Sequence, residues 1–259
     1  MAKLIRITTV PMALKYLLRG QMKYMREQGI EVMMISADGN EREDVMAYEG
    51  CPHHILPMTR KITPFADLIS LWRMYRFFKK EKPAIIHSHT PKAGLIAMLA
   101  GKMAGVKIRI HTIAGLRFMT STGLTRKILV KMEKLTGRWA TQVWPNSHSL
   151  HTYIKTNRLV ATEKMEVIGL GSSNGIKLDR FSLNRLNEEK LKVVKELINY
   201  DTQLSYLLCV GRIVKDKGIQ ELAGVFARLY ENNSSLRLVV VGTFEDNLDP
   251  CLLYTSRCV

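Results

Sequence analysis

The chain has 259 residues, 46% hydrophobic and 24% charged, the balance of a soluble globular protein with room for one large or two medium cores. A formal net charge of +16 and a pI near 9.8 favour anionic partners: nucleic acid, anionic lipid or phosphate-bearing substrates. No run of about twenty apolar residues is present to span a membrane, no signal-peptide pattern follows Met1, and Cys51, Cys209, Cys251 and Cys258 have neither metal-ligand nor disulfide-framework spacing, so the cytoplasm is the expected compartment.

Lys3 to Thr9 reads as a first strand. Leu14 to Gln28 reads as one helix with Leu14, Leu17, Leu18, Met22 and Met25 on one side and Gly29 as its stop. Glu31 to Ser36 is the next strand, and this β-loop-α-β opening begins a doubly wound sheet. Its turn, Val10 to Lys15, lacks the G-x-G-x-x-G of a nicotinamide-binding domain, which counts against a dehydrogenase.

A helical segment near Glu41 to Glu49 and a short strand, His53 to Leu56, follow. Phe65 to Lys80 is helical, with Leu68, Leu71, Trp72, Tyr75 and Phe78 broadly on one face, and Pro83 breaks it. The strand Ala84 to His87 runs into His87-Ser-His89-Thr-Pro-Lys92-Ala-Gly94 and a helix through Met98 and Met103. His-x-His invites a metal, but no third ligand lies at useful spacing, so no metal is expected. The loop reads as polar groups offered to a cleft or as a capped helix start.

Val106 to Thr112 is a further strand. In Gly123 to Trp139, Leu124, Ile128, Met132, Leu135 and Trp139 share one helical arc and Arg126, Lys127, Lys131, Lys134 and Arg138 the other. Such a helix either packs on the sheet with a solvated basic face or meets anionic lipid head groups. Gln142 to Pro145 and Lys164 to Gly169 read as the last strands of this half, with Asn146-Ser147 between them as a helix cap. Gly169-x-Gly171-Ser-Ser-Asn174-Gly175 superficially matches a dinucleotide fingerprint, but no clear helix follows it.

After a linker and a charged helix, Leu186 to Asn199, the apolar run Leu204 to Val210 reads as a buried strand ending at Gly211. Gly218 to Tyr230 reads as the helix that follows, and Leu236 to Val241 as another strand. Arg212 and Lys217 thus lie between a strand's carboxyl end and a helix start, where open α/β sheets bind ligands and anions are favoured. An arginine fork and a lysine point charge together suit a diphosphate; a solvated basic loop is the plain alternative.

Gly211-Arg212-Ile-Val-x-x-Lys217-Gly, the hinge-like Asn174-Gly175 followed by Phe181, and His-Ser-His89-Thr-Pro-Lys92-Ala-Gly, taken in that context, resemble family-4 glycosyltransferases across residues 3 to 250. The resemblance implies an α/β fold of the GT-B type: a Rossmann-like acceptor-side domain over 1–175, and over 176–250 the first part of a second, nucleotide-sugar-binding Rossmann-like domain. It implies retaining sugar transfer from a nucleotide-diphosphate sugar donor to a glycan or lipid-linked acceptor, in bacterial capsule, O-antigen or exopolysaccharide assembly. The work would be done on the cytoplasmic face of the inner membrane, without cofactor or metal.

By the same resemblance Gly211, Arg212 and Lys217 hold the donor diphosphate, Gly20, His89 and Lys92 are acceptor-side candidates, and Asn174 and Gly175 form the hinge. Two departures stand out. Ala114 occupies the place where many members carry a histidine, so no catalytic imidazole is assigned, and Lys177 stands where the hinge usually has Asp. The family's E-x7-E segment is missing, and residues 251–259 read as a foreign or frame-shifted tail, so the chain is expected to be an inactive fragment. A nucleotide-sugar epimerase of the same architecture and a non-enzymatic basic membrane- or RNA-binding module are the rivals. No aromatic platform or RNP-like strand supports RNA, and no nucleic-acid partner is expected.

Overall fold

A computed structural model describes residues 2–59, 62–172, 175 and 178–244. Asn174, Lys177 and the tail 251–259 lie outside the described residues. The chain divides into two compact units, 1–176 and 177–259.

The first unit is built on a six-stranded, wholly parallel sheet. In chain order its elements are β1 (Lys3–Ile7), α1 (Pro11–Leu17), α2 (Gln21–Glu27), β2 (Glu31–Ser36), α3 (Arg42–Glu49), β3 (His53–Ile55), α4 (Pro64–Glu81), β4 (Ile85–Ser88), α5 (Pro91–Ala104), β5 (Ile108–Ile113), α6 (Gly123–Trp139), β6 (Gln142–Pro145) and α7 (His148–Thr156). The spatial order is β3-β2-β1-β4-β5-β6. The order reverses between β1 and β4, so the crevice outside their carboxyl ends is the topological switch point where such sheets bind ligands.

Strand alternation divides the apolar residues between two layers. Ile5 and Ile7 face α4 and α5 in a cluster with Met74, Phe78, Ile86 and Ala97. Leu4 and its neighbours Val32 and Met34 face the other way, against Leu14, Leu18 and Met22. Helices α4, α5 and α6 pack side by side in one layer, and each follows a parallel strand, so all three start at the carboxyl edge of the sheet.

Four expectations change. The helix expected from Leu14 to Gln28 is two, because Gly20 takes a left-handed conformation (φ 83°) and re-aims the chain so that both pieces bury a side. Lys164 to Gly169 is not a strand: Thr162–Lys164 is a short 3-10 turn, and Met165 alone bridges to Val143. In α4 the buried side chains are Ser70, Met74 and Phe78, whereas Phe65, Leu68, Ile69 and Trp72 are exposed, Phe65 at 85%. In α6 the buried ones are Glu133, Thr136 and Gly137, while Leu124 and Ile128 stay exposed. Gly137 packs so closely against Val160 that a side chain there would collide with it, and the apolar arc of α6 points partly outward.

The second unit contains α8 (Glu188–Leu197), capped by the Asn187 side chain, then β7 (Ser205–Val210), α9 (Ile219–Asn232) and β8 (Leu236–Val241). β7 and β8 pair in parallel in register from Ser205↔Leu236 to Val210↔Val241. This is a βαβ unit, but β7 is less buried than its apolar run suggests: Leu208 and Val210 are 66% and 72% exposed. Among the described residues only β8 pairs with it, and two strands with one helix cover too little of it.

Glu133 makes the packing of α6 pH-dependent. Its side chain is buried, Oε2 has no hydrogen-bond partner, and burial raises its pKa from 4.5 to about 7. A folded-state pKa above the unfolded one means that the stability is whole below about pH 4.5 and is lost as pH rises through about 7. Urea unfolding should therefore find Glu133→Gln equal to wild type near pH 4.5. At about pH 8 it should be more stable by about 1–3 kcal/mol. A constant difference at both pH values would contradict this account.

Candidate active site

At the switch point a polar cluster interrupts the core. Arg6 leaves β1 on the α1–α2 face and is only 2% exposed. Its Nη1 lies 2.6 Å from Nδ1 of His87 and 2.8 Å from Nε2 of His89, and Nη2 donates to Gln21 Oε1 at 3.0 Å. His87 Nε2 meets Thr112 Oγ1 at 2.8 Å, and the edge of His87 meets the Trp144 ring. The strand ends are seamed above by Thr90 Oγ1, which accepts from the Thr9 amide at 3.0 Å and lies 2.7 Å from its hydroxyl. On the opposite face His111 Nδ1 pairs with Ser88 Oγ at 2.8 Å. Its ring lies against Gly94, where a side chain would collide with it.

Burial governs the charge states here. It lowers the pKa of Arg6 to about 10, which leaves the guanidinium charged at neutral pH. His87 and His89 are pushed well below the ordinary imidazole value by burial first; His89, Arg6 and His111 add to the effect on His87, and Arg6 and His111 to that on His89. Burial takes His111 down to about 4. Two neutral imidazoles thus stand against one buried cation, with a third, His111, on the opposite face of the sheet.

Of the acceptor-side candidates, His89 alone has its side chain in this cluster. Gly20 borders it through Gln21, but its amide donates to Glu49 Oε1 at 2.6 Å, and Lys23 N donates to Glu49 Oε2 at 2.9 Å. A buried carboxylate of α3 therefore caps the start of α2. Lys92 points to the other layer, where Nζ contacts Asp67 Oδ1 at 2.8 Å and Thr63 Oγ1 at 3.1 Å, tying the start of α5 to that of α4. Sequence reasoning missed Arg6. The available signal was a charged residue among the isoleucines and leucine of the strand Lys3–Ile7.

In the second unit Gly211 follows β7, and its amide donates to the Val241 carbonyl at 2.9 Å. Gly242 lies so close to the Gly211 carbonyl oxygen that no side chain fits there. Ile213 and Val214 are buried and pin the loop, while Arg212, Lys215 and Lys217 stay exposed. The 3-10 turn Lys215–Lys217 ends at Gly218, whose left-handed backbone (φ 70°) starts α9. Arg212 and Lys217 thus flank the end of a strand and the beginning of a helix. Gly175 is exposed. Among the described residues no group of three or more His, Cys, Asp or Glu could hold a metal, and no helix is long and apolar enough to cross a membrane.

The glycosyl transferase 4-like domain profile matches residues 16–171. The chain belongs to the glycosyl transferase 4-like family. It is 39% identical to the capsular polysaccharide biosynthesis glycosyltransferase CapM of Staphylococcus aureus, over 94% of this chain and 62% of the relative. It is 27% identical to a UDP-Gal:alpha-D-GlcNAc-diphosphoundecaprenol alpha-1,3-galactosyltransferase of Escherichia coli, over 68% of this chain and 44% of that one. Anabaena HepE, solved with UDP and glucose, superposes with a TM-score of 0.72 at 13% identity, over 95% of this chain and 62% of that one. The last is a likeness of fold, and with the parallel sheets it bears out the α/β, GT-B-like class. This family member spans less than two thirds of the length of these relatives.

Proposed function

We propose that the protein carrying this chain transfers a sugar from a nucleoside diphosphate sugar to a lipid-linked glycan, with retention, during assembly of bacterial cell-surface polysaccharide. The observation that carries the reading is the pair of exposed cations, Arg212 and Lys217, at the end of β7 and the start of α9 in a family-4 chain. The glycosidic bond to the donor breaks with its electrons moving to the diphosphate. Negative charge grows on the phosphate oxygens as the acceptor hydroxyl attacks the anomeric carbon and passes its proton to the leaving diphosphate. Fixed cations and a helix start gain attraction along that path, which lowers the barrier without a metal. The names of the capsular and diphosphoundecaprenol relatives support a capsule-type product and a lipid diphosphate acceptor.

The surface of the first unit supports a station on the cytoplasmic face of the inner membrane. The outer side of α4 is apolar over its first half, through Phe65, Leu68, Ile69 and Trp72, and basic over its second, through Arg73, Arg76, Lys79 and Lys80. In the same layer α6 exposes Leu124 and Ile128 beside Arg126, Lys127, Lys131 and Lys134. Apolar residues near the carboxyl edge of the sheet with cations below them match an anionic bilayer, where chains insert and phosphates pair.

In the active enzyme Arg212→Ala and Lys217→Ala should each lower kcat by roughly ten- to a thousand-fold, about 1.4–4 kcal/mol. Lys215→Ala, with the same charge in the same loop, should not. Equal losses for all three would make the effect general loop electrostatics and sink the assignment. For the membrane, the chain should co-sediment with phosphatidylglycerol vesicles, less so as salt rises. Both Phe65→Ser/Trp72→Ser and Lys127→Glu/Lys131→Glu/Lys134→Glu should weaken it. Wild-type binding by both variants would remove this face from the argument.

A further inference from the structure

Several donors of the cluster at the switch point lack partners: Arg6 Nε and the Trp144 indole N–H are buried without one, and a third sits on His89. Arginine carries only N–H donors and accepts nothing. Its two contacts through Nη1 therefore dictate where the histidine protons are: Nδ1 of His87 and Nε2 of His89 are the bare, accepting nitrogens. A neutral imidazole has its single proton on the other nitrogen. His87 keeps it on Nε2 and directs it at Thr112 Oγ1. His89 keeps it on Nδ1, for which the described residues supply no hydrogen-bond partner. His89 is more than nine-tenths buried and belongs to β4's extension at the switch point.

We propose that Arg6 is a positioning residue that locks His89 as its neutral Nδ1–H tautomer, and that this N–H binds a hydroxyl oxygen of the acceptor sugar in the β1–β4 crevice. The inference rests on reading the first unit as the acceptor side. A sugar fits better than a phosphate for a geometric reason. The guanidinium is 2% exposed, with Nη1 and Nη2 turned to His87, His89 and Gln21 and Nε buried without a partner, so a ligand at His89 meets an uncharged donor. The charged and titratable groups around His89 are Arg6 from β1, His87 from β4 and His111 from β5, and Glu49 of α3 acts on Arg6. A second positive charge beside Arg6 is disfavoured, which keeps the ring a hydrogen-bond donor and not an ion.

Two-bond proton–nitrogen spectra of the histidine-labelled 259-residue chain read each tautomer directly. His89 should appear as Nδ1–H and His87 as Nε2–H. Methyl glucoside, a neutral probe, should shift the His89 resonances saturably at millimolar concentration, and inorganic phosphate should not. Arg6→Met should release His89 into a mixture of tautomers and abolish the glucoside shift. Thermal melting separates that outcome from a lost fold. In the active enzyme His89→Asn sets an amide where Nδ1–H was and should keep acceptor kcat/KM within about threefold, whereas His89→Gln should lose about tenfold. Release of nucleoside diphosphate by the wild-type enzyme tests the transferase reading by itself, so failure here is distinguishable from failure of that reading. An Nε2–H tautomer of His89, a larger shift with phosphate, no shift with either probe, or equal effects of Asn and Gln would each overturn the proposal.

Discussion

The pairing of β1 with β4 is the constraint on which the first unit depends. It joins the two halves of the doubly wound sheet, with Leu4 opposite Ile85 and Arg6 opposite His87. Because side chains alternate, a slip of one residue would move Ile5 and Ile7 out of the α4–α5 layer and drive Arg6 into it. The register therefore fixes the apolar core and aligns the guanidinium with His87 and His89 in one step. The cost of burying that cation is offset in part by its hydrogen bonds to two neutral rings and an amide, while Nε is left without a partner.

The second unit uses a plainer device. Two parallel strands and one crossover helix bring a loop and a helix start together, and Gly211 and Gly242 let the strand ends approach more closely than any side chain would allow. Ile213 and Val214 bury beneath the loop, so Arg212 and Lys217 stand on an anchored backbone although their side chains face solvent. In the proposed donor site that anchored backbone gives both side chains fixed starting points, and electrostatic stabilisation of a leaving group draws its strength from preorganisation.

Much of the sheet was legible in the sequence because the strands are short apolar runs bounded by Gly, Pro and polar residues. Gln142–Pro145 is found within the bounds read from sequence, and β1, β2, β4 and β5 lie within a residue or two of theirs. Helix faces were less legible. Periodicity located α4 and α6 but not which arc is buried, because these helices have more apolar residues than one face can hold and the neighbour α5 decides. The break at Gly20 hides in a continuous apolar period. The polar cluster was half legible: His87 and His89 announced themselves, while Arg6 gained meaning only where the fold placed Met34 and His87 on either side of it.

The central claim is that the chemistry is sugar transfer from a nucleoside diphosphate sugar. The most direct measurement is phosphorus NMR of such donors incubated with the active enzyme, with and without a membrane extract containing lipid-linked acceptors. Release of nucleoside diphosphate, accelerated by the extract and matched by sugar appearing in the lipid fraction, is the predicted result. Release of nucleoside monophosphate, or conversion of the donor to an epimer with no dependence on the extract, would contradict it.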